Sequence, residues 1–225
     1  MGVDERPLTS LQSVILTSIP FLFIWRILRG YVERHGPFSL AKSITRFNSQ
    51  IYSLCSLGLA LLILNDVFYF EQHENIESSN LAYIYHLSKF YEYIDVFNLV
   101  ANGQSIGSHM AFHHITTPFL SYFRVLNASG WQLFAFLNCL HHFWMYAYFG
   151  GVSVFRPILP ITGWVQLGGG IAFDVFYLAK NGLQASESFN RSVAILLLTG
   201  YVVLFYQEFR AGSQQKSKVA EKKKE

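Results

Sequence analysis

Leu57-Gly58-Leu59-Ala60-Leu61-Leu62-Ile63-Leu64 is a run without one polar side chain, set inside an apolar segment from about 49 to 70. Roughly 20 consecutive apolar residues are what a helix needs to cross a bilayer, so this segment predicts a membrane-spanning helix. Working outward, six more segments follow, at about 11–30, 81–101, 106–123, 131–149, 160–179 and 191–210. The fold class expected is all-α, a polytopic membrane protein of seven transmembrane helices over residues 1–210, followed by a basic tail at 211–225. The segments at 81–101 and 106–123 are the least apolar, and the first of them carries Lys89, Glu92 and Asp95. Such residues are tolerated in a membrane where they face a bundle interior.

Composition supports this reading. Of the 225 residues 52% are hydrophobic and only 14% charged, against about a quarter charged in soluble domains. The 21 phenylalanines and 13 tyrosines supply the amphipathic bulk found at bilayer interfaces. Two cysteines, Cys55 and Cys139, both in apolar segments, give neither a disulfide framework nor a thiolate metal site. Met1 to Ser10 lacks the basic start and cleavage motif of a signal peptide, so the first apolar segment is expected to be retained.

Charge distribution orients the bundle. Arg26, Arg29, Arg34, Lys42, Arg46, Arg156, Arg210, Lys216, Lys218 and Lys222 to Lys224 fall on one side; Arg6, Arg124, Lys180, Arg191 and the acidic loop Glu71 to Glu77 fall on the other. The richer side is expected in the cytosol, which places the N-terminus in the lumen and the tail in the cytosol. The tail ends Lys222-Lys223-Lys224-Glu225, resembling a dilysine retrieval signal for the endoplasmic reticulum; a plain solvated tail is the competing reading. Asn127-Ala128-Ser129 and Asn190-Arg191-Ser192 are glycosylation sequons on the luminal side, both close to membrane segments.

Asn138, His142 and Met145, at i, i+4 and i+7, lie on one stripe of the fifth helix. An amide and an imidazole in a membrane helix mark a candidate site. His109, His113 and His114 form a second cluster at the start of the fourth helix, and Lys89, Glu92 and Asp95 share a rough stripe of the third. With alternating helices, all three clusters fall at one depth, toward the cytosolic mouth. His141 points away from His142 and reads as structural; His35, His73 and His86 carry no functional signal. Asp66 and Asp174 read as helix-contact residues or tunnel lining.

Lys89-x-x-Glu92-x-x-Asp95 and Asn138-x-x-x-His142-x-x-Met145-Tyr146, in that order, resemble the KxxExxD and NxxxHxxMY motifs of the very-long-chain fatty acid elongase (ELO) family, over about residues 10–210. The family's HxxHH box is altered. Met110 stands where its first histidine belongs, and His109 sits one position early, about 100° around the helix. Of the family's TxxQxxQ segment Gln166 remains, with Gly169 at the second glutamine and Thr162 one residue out of spacing.

The resemblance implies a helix bundle enclosing an acyl tunnel and a 3-ketoacyl-CoA synthase that condenses a long-chain acyl-CoA with malonyl-CoA, releasing CoA and carbon dioxide. It makes His113 the nucleophile that forms an acyl-imidazole. Asn138 and His142 then donate to the enolate or carbonyl oxygen, with His114 and His109 beside them. Lys89 would meet CoA phosphate or the malonyl carboxylate, or else Lys89 and Glu92 neutralise each other; Glu92 and Asp95 would orient histidines or the lysine. Met145, Tyr146 and Gln166 would border the substrate. Lys180 would end the tunnel, or snorkel to water at the interface. No metal and no cofactor beyond the two CoA substrates is implied. The partners implied are the bilayer and the ketoacyl reductase, dehydratase and enoyl reductase of the cycle. A homodimer is an open possibility, and no nucleic acid is expected. Three other classes share part of this pattern: a catalytically impaired relative, a di-iron desaturase or hydroxylase, and a seven-helix transporter or receptor. Histidines outside any box argue against iron, and only Gly168-Gly169-Gly170 hints at a broken transporter helix.

Overall fold

In a computed structural model, which describes residues 6–69, 76–180 and 184–222, the described residues are all-helical and contain no strand. α1 (Leu11–His35) opens on Ser10, whose hydroxyl accepts the Ser13 N–H at 3.1 Å, a side-chain cap for one of the first turn's unpaired donors. It closes at Gly36 in the left-handed region (φ 85°), whose N–H reaches the Val32 carbonyl at 2.8 Å. α2 (Ala41–Tyr69) follows. The third expected segment is two helices, α3 (Ile76–Tyr91) and α4 (Tyr93–Ala101), broken at Glu92. α5 (Ser108–Ser121) runs into a π turn at Tyr122–Leu126. α6 (Trp131–Phe149) comes next, then a 3-10 turn (Ser153–Ile158) that leads into α7 (Leu159–Ala179). α8 (Ala185–Lys222) continues well past the end expected near 210.

Counting α3 and α4 as one, seven helical segments are described, the arrangement that a polytopic membrane protein requires. Among the described residues four stretches are long and apolar enough to cross a membrane: Leu11–His35, Ala41–Phe68, Ser153–Ala179 and Ala185–Arg210. Their outward faces are apolar and exposed, as at Phe23, Leu54, Phe68 and Phe176, a surface suited to lipid. Residues 223–225 of the dilysine-like end and most of the acidic loop, at 70–75, lie outside the described residues.

The most extensive helix pair is α2 with α6. Ser49, Ser53, Ser56 and Ala60 are buried at i, i+4, i+7 and i+11 on α2, and small residues in one stripe let helices approach closely. Ser53 Oγ donates across this seam to the Phe143 carbonyl at 2.9 Å.

One end of the bundle is locked by buried charge. Arg124, Asp174 and Arg191 are each 0% exposed. Arg124 Nε and Arg191 Nη1 both meet Asp174 Oδ1, at 2.6 and 2.8 Å, and Arg191 Nη2 meets Glu187 at 2.7 Å. The same guanidiniums donate to the carbonyls of Ser129 and Gly130. Asp174 is thus a helix-contact residue joining the π turn, α7 and α8. Gly130 starts α6 with φ 59°, and a Cβ there would stand 3.0 Å from the Tyr177 hydroxyl. Asp66 likewise contacts a helix, accepting from Gln132 at 3.3 Å. His86, fully buried, joins the Leu8 carbonyl (2.8 Å) to the Ser121 hydroxyl (2.7 Å), tying the N-terminal segment to α3 and α5.

Candidate functional site

The break at Glu92 sets the site. Its N–H reaches the Ser88 carbonyl and its carbonyl takes the Asp95 N–H, both at 3.1 Å, while its carboxylate turns into the bundle at 0% exposure. Oε1 accepts from Lys89 Nζ at 2.6 Å and from the Tyr52 hydroxyl at 3.1 Å, and stands 3.3 Å from His142 Nδ1. Oε2 has no hydrogen-bond partner and lies 3.9 Å from His113 Nε2.

Lys89 also donates to Asn138 Oδ1 at 2.7 Å, and the Tyr85 hydroxyl donates to the same oxygen at 2.8 Å. An ammonium has no acceptor capacity, so the atom of Asn138 facing it must be the oxygen. The amide nitrogen is then on the other side, 3.0 Å from Gln166 Oε1 and 3.4 Å from His142 Nε2. The Lys89 ammonium lies over the Tyr85 ring, 4.5 Å from its centroid.

Four of the expected residues, Lys89, His113, Asn138 and Gln166, line one slender cavity between α3, α5, α6, α7 and α8. Glu92 and His142 stand directly behind it. Leu120, Phe134 and Leu198 complete the lining on its apolar side, and the Arg124 guanidinium lies 5.9 Å from the Phe134 ring.

The other expected residues are placed differently. The helix break carries Asp95 away from Lys89; its carboxylate takes the Tyr146 hydroxyl and, at 3.4 Å, the Asn48 amide. His114 is buried beside His113, the two ring centroids 5.3 Å apart, and its Nδ1 has no hydrogen-bond partner. His109 lies a turn before His113, its ring 5.5 Å from Phe205 and its backbone N–H donating to Glu208 at 3.0 Å. Met145 is half-buried and enters none of the hydrogen bonds above. His141 bonds Thr162 Oγ1 at 2.8 Å, on the far side from His142 as expected. Lys180 is exposed at the C-cap of α7 and is not among the residues that line this cavity.

Three tyrosines were missed. Tyr52 holds Glu92, Tyr85 holds Asn138, and the Tyr201 ring packs 4.8 Å from His113 while its hydroxyl meets Thr116 Oγ1 at 2.7 Å. Tyr85 is one turn before Lys89, a spacing that could have flagged it; Tyr52 and Tyr201 sit in apolar runs with no signal.

Ligand atoms of Glu92, His113 and His142 lie within 4.8 Å of one another, a donor set of the kind that holds catalytic zinc. The Lys89 ammonium already neutralises this carboxylate at 2.6 Å, and it would repel a metal cation at the same place. The set therefore fits proton handling better than metal binding. A family model described as ELO, the GNS1/SUR4 family, matches residues 6–221. No curated protein and no solved structure matches the chain.

Proposed function

Because the chain belongs to the ELO (GNS1/SUR4) family, which is a family of fatty acid elongation, we propose that it condenses a long-chain acyl-CoA with malonyl-CoA to give 3-ketoacyl-CoA, CoA and carbon dioxide. The observation that carries this reading is a single buried cavity in which His113, the Asn138 amide and Lys89 meet, backed by His142 and Glu92. A thioester is already activated, so a neutral imidazole suffices as nucleophile. His113 is 17% exposed, accessible where Glu92 is sealed at 0%. Loss of carbon dioxide from malonyl-CoA leaves an enolate that attacks the acyl group. The Asn138 amide has its oxygen on Lys89 and Tyr85 and its two N–H groups on Gln166 and His142, so it stabilises developing oxygen charge by turning one N–H from Gln166 to the substrate oxygen. Lys89, 3% exposed and committed to Glu92 and Asn138, serves as an internal holder and not as a CoA phosphate contact. The reading needs no metal and no further cofactor.

For the acyl tail we propose the apolar side of this cavity, at Leu120, Phe134 and Leu198; with room for about one water as it stands, it must widen by side-chain movement to admit a chain. We place the protein in the reticulum membrane with its tail cytosolic, beside the reductase and dehydratase steps that must follow. Support for the orientation is that Arg124 and Arg191, two of the four basic residues on the opposite side, are buried in the ion cluster instead of facing water. Membranes containing the protein, supplied with acyl-CoAs and labelled malonyl-CoA, are expected to yield 3-ketoacyl product; His113→Ala should yield none. Asn138→Ala is expected to lower the rate by about 10²–10³, the usual loss of one such donor. No malonyl incorporation at any chain length would sink the proposal.

A further inference from the structure

The hydrogen-bond network decides which nitrogen of each histidine carries its proton. With its oxygen fixed toward Lys89, Asn138 presents its N–H to His142 Nε2 at 3.4 Å, so Nε2 must hold a lone pair. The proton of neutral His142 is then on Nδ1, and that atom faces Glu92 Oε1 at 3.3 Å. Glu92 Oε1 thus collects Lys89, Tyr52 and His142, whereas buried Oε2 has no hydrogen-bond partner and faces His113 Nε2 at 3.9 Å. An ionised carboxylate oxygen accepts only, so the proton of His113 belongs on Nε2.

Resting on the condensation reading above, we infer that Glu92 positions both histidines through its two oxygens and that His113 attacks the thioester through Nδ1. The Nδ1 lone pair forms the N–C bond to the acyl carbon and the C–S bond breaks, releasing CoA thiolate. The imidazolium so formed passes its Nε2 proton to Glu92 Oε2, leaving a neutral acyl-imidazole; that proton then returns to the thiolate. The 3.9 Å separation lies beyond a hydrogen bond and closes when positive charge develops on His113, as catalytic contacts long in the free enzyme commonly do. Glu92 thus orients the two rings and also serves as the base that takes the His113 proton.

The protonation pattern can be read without turnover. Full-length protein in detergent micelles, labelled with 15N-histidine and assigned with His113→Ala and His142→Ala, should show His113 protonated on Nε2 and His142 on Nδ1. In Glu92→Gln the His113 pattern should change, because an amide can donate where the carboxylate only accepted. His113 protonated on Nδ1 in the parent protein would overturn the inference. A second measurement follows acyl transfer by intact mass with palmitoyl-CoA and no malonyl-CoA. His113→Nδ1-methylhistidine should lose the adduct, and Glu92→Gln should slow its formation by about 10²-fold or more. An adduct on the Nδ1-methyl variant also overturns the inference. A parent protein that no acyl-CoA labels counts instead against the condensation reading, and the NMR pattern then decides this one alone.

Discussion

Lys89 and Glu92 are buried at 3% and 0% exposure with their charged atoms 2.6 Å apart. Removing one partner of such a pair leaves an uncompensated charge in the interior, at a cost of about 3–5 kcal/mol. Lys89→Met is therefore expected to lower the unfolding midpoint in detergent sharply. The double variant Lys89→Met with Glu92→Gln should recover much of that loss, because it leaves no buried charge behind. Equal destabilisation by the single and double variants would show that the pair does not act as a unit. The spacing of Lys89 and Glu92 was legible as a pair, and so was the stripe of Asn138 and His142. What spacing could not give is the break between α3 and α4. Tyr91-Glu92-Tyr93 contains neither glycine nor proline, so nothing local announces that Asp95 will turn toward Tyr146 instead of Lys89.

At the level of elements, the Arg124–Asp174–Arg191 cluster is the clearest case of structure without a sequence signal. Its members come from the π turn, α7 and α8, and no periodicity relates positions so far apart in the chain. Read singly, Arg124 and Arg191 were loop cations and Asp174 an isolated acid. Together they join three elements at one end of the bundle. Asp174→Asn keeps the shape and removes the one carboxylate shared by two fully buried guanidiniums. It should destabilise the protein by about 3–5 kcal/mol, read as a fall in thermal midpoint, while Lys180→Ala on the exposed C-cap of α7 should leave the midpoint unchanged. The stripe Ser49, Ser53, Ser56 and Ala60 was readable in principle from its spacing. Serines in an apolar run look like dilution until the facing helix is known.

Across the whole molecule, seven apolar segments in order sufficed for the all-helical architecture, since bilayer thickness fixes helix length independently of detail. They could not reveal how the space between helices is filled, and that space governs what ligand fits. On α7 the polar end of the cavity is at Gln166 and the ion cluster at Asp174, roughly 12 Å apart at the helical rise per residue. Gly170 lies midway. A Cβ added there would stand 3.1 Å from Phe134 and 3.2 Å from Leu198, two of the side chains that line the apolar side of the cavity. Gly170→Ala must push one or both of them, and a fully packed cluster beyond leaves the cavity as the nearest place to go. If the acyl tail occupies this space, Gly170→Ala should shift the product distribution toward shorter chains. The shorter substrates should keep rates within a few-fold of the parent, because His113 and Asn138 lie at the opposite end. Product profiles from a graded series of acyl-CoAs would show this directly. A uniform loss at every chain length would mean that the glycine serves helix packing alone and that the tail lies elsewhere.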